Sequence, residues 1–517
     1  MKKQIISNLS SNYINKIVTM ALALFIVPFL TMKLSKEVFG ITVLAESTIL
    51  FFGVITNSMK MAMTRFSTYS FSEGKRDDFI GYVSSGRFLL FGCAILVLFL
   101  GGVVSFFYPH AIKISPGYLN DTKILFFLIT FGFSASIPNI VFSSMVIAKQ
   151  RPDLVNITMT GGALVKAVLI VIVYSFVPTQ SMIPYGIIYV VSVAMQNLWV
   201  YLIFRKLLPD IKLRFSSYQK SKAREILGFT FHTSAGHLSE MLYDNTALII
   251  IGSVWGPVSV ALYSISIKFA MVLKRLFLEG AWALAPIFID LVAKKDNLRV
   301  QQLFILYTKV MTIINTPLCI LLIVLAQPLI VLWVGKEFVA SAGLLPIHII
   351  PLFMAIPFAA CPCLSCAFAK VKIPSLVSLS LAVMNVFAGL LFGVVFKWGI
   401  YGIAAGAAIS SFLYLSLFAP YYSCKLAGIP LRKFLVEGFL KPFALAWVVY
   451  GGGLWYLNRV SPDWISHWSS LLILAGVSAV YALLSFLLIL DGFERCKFKG
   501  LFGKVIDVGR KSVAVPL

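Results

Sequence analysis

Long apolar runs separated by short polar connections make up almost the whole chain. A membrane-crossing helix needs about 20 mainly apolar residues, and fourteen runs in the 517-residue chain meet this requirement. The predicted spans are 10–32, 41–63, 82–107, 124–147, 156–178, 183–204, 228–253, 259–284, 303–326, 343–368, 375–396, 400–423, 442–458 and 468–490. Because no connection is long enough to hold a soluble domain, the pattern predicts an all-α polytopic membrane protein with about fourteen transmembrane helices.

Composition excludes two broad classes of function. Hydrophobic residues make up 59% of the chain and charged residues only 12%, about half the charged share of a soluble domain. A soluble enzyme of this length is excluded, because too little polar surface is present to cover it. The formal charge of +24 is compatible with nucleic-acid binding, but the long apolar runs argue against such a partner.

The basic residues predict the orientation of the chain. With the N-terminus inside, the inside segments carry 29 Lys and Arg residues and the outside segments carry 7. Short loops rich in Lys and Arg stay on the cytoplasmic side, so both termini are predicted to be cytoplasmic. Most of the positive charge is therefore a topology signal, and only the charges within the spans bear on a substrate.

Two similar connections indicate an internal repeat. The first, at 34–40, has the sequence LSKEVFG, and the connection after the seventh span, at 255–263, has the sequence WGPVSVALY. Each is tight and precedes an amphipathic span with ionisable groups, and six spans separate them. Parallel repeats are common in transporters, so we predict two sets of six spans followed by two extra spans.

Eight basic and four acidic residues remain inside the predicted spans, where an unpaired charge is costly and usually functional. Three of the basic residues lie near the cytoplasmic interface and are predicted entry or interface cations, although each could simply extend to the headgroups: Lys60, Arg87 and Lys274. Five lie between the midplane and the inner third and are predicted cavity cations for an anionic substrate: Lys16, Lys166, Lys268, Arg275 and Lys309.

Five further residues are candidates for ion coupling: His237, Glu240, Asp244, Glu46 and Glu279. The first three are spaced to share one face of the seventh span. A carboxyl group in a low-dielectric cavity can exchange H⁺ or bind Na⁺, while a plain ion pair with Lys268 or Arg275 explains Glu240 and Asp244 equally well. No other cofactor is expected. The 361–366 segment CPCLSC has metal-like spacing, but its apolar context favours helix packing.

The residues resemble the polysaccharide (O-antigen type) flippases of the multidrug/oligosaccharidyl-lipid/polysaccharide (MOP) exporter superfamily. One marker is Phe39-Gly40 in the first connection, and the other is Glu240–Asn245 followed by Leu248–Gly252 and Val260–Tyr263. Span count and loop lengths extend the resemblance over almost the whole chain.

The resemblance implies two six-helix lobes around a central cavity, with two C-terminal helices beside them. It places an N-lobe at 1–205, a basic cytoplasmic linker at 206–227, a C-lobe at 228–424, two further helices at 425–490 and a basic tail at 491–517. It also implies transport of an undecaprenyl-diphosphate-linked oligosaccharide across the bacterial inner membrane by ion-coupled alternating access. The implied partners are this lipid-linked oligosaccharide and the phospholipid membrane, with a glycan polymerase and assembly proteins as candidates.

Two other functions compete with this one. A multidrug or cation exporter of the same fold should have an acidic or neutral cavity, whereas the intramembrane balance here is positive. A membrane enzyme that builds glycans generally needs a large outside loop or an acidic pair near the outer surface. The longest outside loop, 108–123, contains Asp121 as its only acid, so we expect no catalysis.

Overall fold

The computed structural model describes residues 2–176, 181–211, 217–460, 468–492 and 494–495, and all regular elements in these ranges are helical. They form nineteen helical stretches. In chain order these are α1 (Lys2–Lys33), α2 (Lys36–Ser72), α3 (Arg76–Ala111), α4 (Pro116–Ala148), α5 (Pro152–Phe176), α6 (Ile183–Leu207), α7 (Lys220–Asp244), α8 (Thr246–Trp255), α9 (Pro257–Ala281), α10 (Ala285–Ala293), α11 (Asn297–Val324), α12 (Ala326–Val334), α13 (Lys336–Gly343), α14 (Leu345–Ala355), α15 (Cys361–Ala367), α16 (Lys372–Val395), α17 (Ile400–Ala427), α18 (Leu431–Arg459) and α19 (Trp468–Leu484).

The helices confirm the predicted fold class, an all-α polytopic membrane protein with about fourteen membrane-length segments. Within the described ranges, ten helices are long and apolar enough to cross a membrane, and the bent pair α13 and α14 makes an eleventh. The three remaining predicted spans correspond to α7 with α8, to α9 and to α19. The first two of these carry six of the twelve charged residues in the predicted spans, which lowers their hydropathy.

The seventh predicted span is not one continuous helix. Helix α7 ends at Asp244, and α8 begins at Thr246 after Asn245, which lies outside helical geometry at φ −125° and ψ −21°. Gly256 then adopts φ +85° before Pro257 starts α9. A positive φ favours glycine, and proline is well suited to the first turn of a helix. The chain therefore reverses over very few residues.

The described residues form two compact units, each considered separately. The first unit contains residues 1–268, 333–341 and 378–407, and the second contains 269–332, 342–377 and 408–517. The lobe limits implied by the family resemblance stay predictions. Helix α7 begins within the predicted linker, and most of the predicted tail lies outside the described residues.

The core of the first unit lies between α2, α3, α4 and α7. Met59, Phe79, Val141 and Ile226 are almost completely buried there. Burial of each such side chain from water stabilises a protein by about 1.5–3 kcal/mol. The gain is smaller for side chains that would otherwise contact lipid, because lipid tails are themselves apolar. This packing fixes the positions from which the intramembrane charges project.

Aromatic rings dominate the core of the second unit. Phe304 stacks on Phe434 with ring centroids 4.5 Å apart and planes 13° apart, within the range of favourable aromatic pairs. Cys361 and Cys363 on α15 are buried in the same cluster, which agrees with a packing role for the CPCLSC segment. In the described ranges, no group of three or more His, Cys, Asp or Glu side chains could hold a metal ion.

Candidate functional site

Glu46 is the centre of a charged network inside the first unit. Its Oε1 accepts hydrogen bonds from Lys166 Nζ at 2.5 Å and from the Tyr185 hydroxyl at 2.7 Å. Lys268 on α9 adds a further electrostatic attraction to the same carboxylate. Two of the predicted cavity cations, Lys166 and Lys268, therefore both interact with one predicted coupling residue.

Lys166 is well placed to bind a second anion. Its ammonium lies 4.8 Å from the ring centroid of Tyr185 and 5.3 Å from that of Tyr189, so two aromatic faces support the cation. An ammonium group has three N–H donors, and Glu46 is the one hydrogen-bond acceptor that Lys166 has among the described residues. The side chains of Lys166 and Glu46 are 23% and 36% exposed, which leaves room for a ligand to approach.

Lys60 is an intramembrane cation without an acidic partner in the described part of the chain. It lies on α2, half-buried, close to the contact between α2 and α7. A hydrogen bond of 3.2 Å between the hydroxyl groups of Ser234 and Ser58 links the two helices nearby. Since burying an unpaired ammonium is costly, Lys60 is a second candidate contact for an anion.

Lys16 lies on α1, which packs against α5. Next to it, the Thr160 hydroxyl donates to Asn15 Oδ1 at 2.7 Å, and Asn156 donates to the Ser11 hydroxyl at 3.3 Å. These hydrogen bonds connect α1 to α5, the helix that carries Lys166. Lys16 itself is half-exposed and has interactions within the described residues.

The acidic candidates on α7 differ strongly in exposure. Glu240 is 72% exposed, and His237 Nδ1 lies 3.9 Å from its Oε2. Asp244 is half-buried at the end of α7, directly before the helix break at Asn245. Interrupted helices often build ion sites in transporters, so the break makes Asp244 the stronger coupling candidate of the two.

Four predicted residues remain: Arg275, Lys274, Arg87 and Glu279. Arg275 belongs to the second unit and is exposed, and Lys274 beside it is half-buried with interactions of its own. Arg87 on α3 is also half-buried and has partners. Glu279 belongs to α9, but its side chain lies outside the described residues.

Lys309 forms a buried ion pair in the second unit. Its ammonium donates to both carboxylate oxygens of Glu494 at 2.9 Å, and the two side chains are only 7% and 15% exposed. Glu494 Oε2 also accepts the backbone N–H of Asp491 at 2.8 Å. The ion pair therefore connects the residues after α19 to α11. Sequence analysis instead predicted Lys309 to be a cavity cation.

We expect Lys309→Met to destabilise the protein strongly, because it leaves the Glu494 carboxylate buried without its counter-ion. Breaking one side of a buried pair typically costs about 3–5 kcal/mol, whereas replacing both sides with apolar residues costs little. Thermal unfolding of the purified protein in detergent should show a large decrease in midpoint for Lys309→Met. The midpoint should recover in the double variant Lys309→Met/Glu494→Leu, and equal losses in both variants would contradict this role.

The connections predicted to face outside meet one another within the first unit. Glu37, in the first turn of α2, accepts the backbone N–H of Ser115 at 2.7 Å and its hydroxyl at 2.8 Å. The ammonium of Lys36 lies 5.5 Å from the ring centroid of Phe338. These contacts join the 34–40 connection to two other connections on the same side.

Gly40 brings the two repeat-like connections into direct contact. A Cβ atom at Gly40 would overlap the backbone carbonyl of Pro257. Gly256 likewise faces the backbone carbonyl of Lys113, which would lie 3.1 Å from a Cβ atom. The two motifs that sequence analysis compared as repeats therefore pack on each other, and glycine is needed because the backbones approach so closely.

Sequence analysis missed several contacts at the opposite end of the first unit. The Tyr82 hydroxyl donates to Glu225 at 2.5 Å, and Lys222 Nζ donates to Asp78 at 2.6 Å. Asp78 and Glu225 fall in the inside connections, where the charge pattern was interpreted as topology alone. Tyr185 was also missed, because a tyrosine in an apolar run carries no signal that distinguishes a hydrogen-bonding role from packing.

Comparisons with known proteins match this architecture. Residues 91–342 match the family described as Polysaccharide biosynthesis protein. The chain is 23% identical over 501 residues to the uncharacterized membrane protein EpsK of Bacillus subtilis (strain 168), covering 94% of this chain and 96% of EpsK.

Two solved structures share the fold. One is an inward-facing multidrug resistance MATE family transporter of the MOP superfamily, with a TM-score of 0.67 and 12% identity, covering 81% of this chain and 99% of that one. The other is lipid II flippase MurJ in an inward closed conformation, with a TM-score of 0.65 and 14% identity, covering 93% and 99% of the two chains. The chain therefore has the fold of these two membrane transporters, and residues 91–342 are similar to polysaccharide biosynthesis proteins.

Proposed function

We propose that this protein translocates an undecaprenyl-diphosphate-linked oligosaccharide from the inner to the outer leaflet of the bacterial inner membrane. It does so by alternating access, with both termini in the cytoplasm. The proposal depends mainly on the surroundings of Lys166. Its ammonium group lies inside a predicted span, has N–H donors that Glu46 does not use, and is next to a partly exposed carboxylate. The match of residues 91–342 to polysaccharide biosynthesis proteins supports the same class of substrate.

A diphosphate is the part of this substrate that intramembrane lysines recognise best. Charge-assisted hydrogen bonds from an ammonium to a phosphate are short and strong, and their strength increases where water is scarce. Lys166 and Lys60 both lie in the first unit and have donors available. In the proposed mechanism Lys60, the predicted entry cation, and Lys166 bind the diphosphate one after the other, while the lipid tail stays in the bilayer.

Ion coupling is proposed to pass through Glu46. When the diphosphate binds Lys166, Glu46 loses its main ion-pair partner. A carboxylate in a low-dielectric environment without its counter-ion favours the protonated form. Binding of the substrate would thus be linked to uptake of one proton, and release of the substrate would return that proton. Glu240, Asp244, Glu279 and His237 are the other coupling candidates, with Na⁺ as the alternative ion.

Deletion of the gene in its host tests the function. We expect lipid-linked oligosaccharide to accumulate on the cytoplasmic leaflet and surface glycan to disappear, with both restored by the wild-type gene. The proposed partners, a glycan polymerase and assembly proteins, act on the exported repeat unit. Normal surface glycan in the deletion strain would contradict the proposal.

We expect Lys60→Gln to reduce glycan export at least about tenfold, because it removes one charge-assisted contact worth about 1.5–3 kcal/mol. The conservative variant Lys60→Arg should retain most of the export. Lys397→Gln, which removes an exposed lysine from a predicted outside connection, is the matched control. Export should be compared at equal amounts of protein in the membrane, and unchanged export in Lys60→Gln would remove this residue from the mechanism.

Export of drugs or other cations is the alternative function, favoured by the shared fold with a multidrug resistance MATE transporter. Under this alternative, Glu46 or Glu240 would receive the cation. Cells expressing the protein should then resist cationic dyes without any change in glycan. Such resistance, combined with normal glycan after deletion, would establish the alternative.

A further inference from the structure

A pocket of about 350 Å³ lies in the first unit where α2, α4 and α6 end and α3 begins. Sequence analysis assigned no role to it. Its wall includes the basic residues Arg76 and Lys149, the acidic residue Asp210, and the apolar residues Phe71, Leu208 and Ile211. All three contributing connections belong to segments predicted to face the cytoplasm.

Two similar turns hold the basic residues in place. After α2, Gly74 at φ +70° reverses the chain just before Arg76, and Lys75 N–H bonds the carbonyl of Ser70 at 3.1 Å. After α4, Gln150 at φ +61° follows Lys149 and donates to the carbonyl of Ile147 at 2.8 Å. Left-handed residues of this kind close helix ends in defined geometry, so the two cations project from fixed backbone positions.

Neither basic residue has an ionic partner among the described residues. The neighbouring charges, in contrast, are paired: Lys75 with Glu73 at 2.8 Å, and Arg151 with Asp153 at 3.0 Å. The ammonium of Lys149 lies 5.0 Å from the ring centroid of Phe71, another wall residue. The charged residues of the wall therefore carry a formal charge of +1, next to an apolar surface.

We propose that this pocket binds the phosphate of an anionic phospholipid from the inner leaflet, with phosphatidylglycerol as the representative ligand. Basic pockets between helices on the cytoplasmic side suit anionic headgroups. Arg76 and Lys149 bind the phosphate, while Asp210 accepts hydrogen bonds from the glycerol hydroxyl groups. The apolar wall formed by Phe71, Leu208 and Ile211 contacts the lipid beyond its headgroup, which a free phosphate ion could not use.

Native mass spectrometry of the purified full-length protein tests the proposal, using phosphatidylglycerol, phosphatidylethanolamine and phosphatidylcholine as probes. We expect one preferentially retained phosphatidylglycerol per chain. The double variant Arg76→Gln/Lys149→Gln should lose about 30-fold in affinity, since each basic residue contributes about 1 kcal/mol near anionic lipid. Lys75→Gln, which removes the same charge from the same connection but not from the pocket, should bind as the wild type does.

Two further variants distinguish binding from loss of folding. Lys149→Arg should bind phosphatidylglycerol normally, and Asp210→Asn should still bind it, because the amide oxygen also accepts hydrogen bonds from the glycerol hydroxyl groups. Inorganic phosphate at millimolar concentration should not displace the lipid. The proposal is overturned if the double variant binds like the wild type, if the neutral lipids bind equally well, or if phosphate alone displaces the lipid.

Discussion

We expect Lys166→Met to abolish glycan export while the protein still reaches the membrane. The substitution removes the ammonium that donates to Glu46 at 2.5 Å, and with it the proposed contact to the diphosphate. The lost charge-assisted contact alone is worth about 1.5–3 kcal/mol, or roughly 10- to 150-fold in binding. Loss of the Glu46 interaction adds to this, because among the described residues the carboxylate then keeps only the Tyr185 hydrogen bond and the attraction of Lys268.

A double variant separates substrate binding from structural support. Lys166→Met/Glu46→Leu removes both charges, so no carboxylate is left without its partner and the fold should be retained. We expect this variant to be as stable as the wild type and still inactive. Export by the double variant at wild-type levels would make the pair purely structural and would refute the proposed role of Lys166.

The second large effect is expected from Gly40→Val. Any side chain at this position overlaps the carbonyl of Pro257, so the two outer connections must separate. Overpacking of this kind typically costs about 1–3 kcal/mol, and here it acts on backbone atoms that cannot rotate away. If these connections have to close against each other during transport, export should fall at least about tenfold, as measured by surface glycan at matched protein levels.

Gly117→Ala is the matched control for this substitution. Gly117 lies near the start of α4, on the same predicted outer side, and nothing lies within 4 Å of a Cβ atom placed there. It should leave export unchanged. Normal export by Gly40→Val would show that close approach at Pro257 is not needed for transport.

Hydropathy alone predicted the helices well, because a membrane imposes a strict length on apolar segments. Twelve of the fourteen predicted spans each coincide with one helical stretch, while 228–253 and 343–368 are divided between shorter helices. The break at Asn245 was not predicted, since no proline or glycine marks it. The break consists of one residue with non-helical backbone angles, which a count of apolar residues does not detect.

The candidate site was only partly predictable, because sequence position gives depth but not the partner of a charge. Lys166 and Lys268 were both predicted to be cavity cations, yet their common interaction with Glu46 depends on how α2, α5 and α9 pack. Lys309 illustrates the opposite outcome: its partner, Glu494, lies 185 residues away in the chain. Only the tertiary structure brings such distant residues together. The role of each cation therefore cannot be predicted until its contacts are known.

The central claim is that the protein flips a lipid-linked oligosaccharide, and reconstitution into liposomes tests it most directly. Liposomes would contain undecaprenyl-diphosphate-linked oligosaccharide from the host, and a membrane-impermeant glycosidase added outside would report the exposed fraction. The account predicts that the wild-type protein makes nearly all of the oligosaccharide accessible, while Lys166→Met leaves the inner-leaflet fraction protected. Equal protection in liposomes with and without the wild-type protein, under an imposed proton gradient of either direction, would contradict the account.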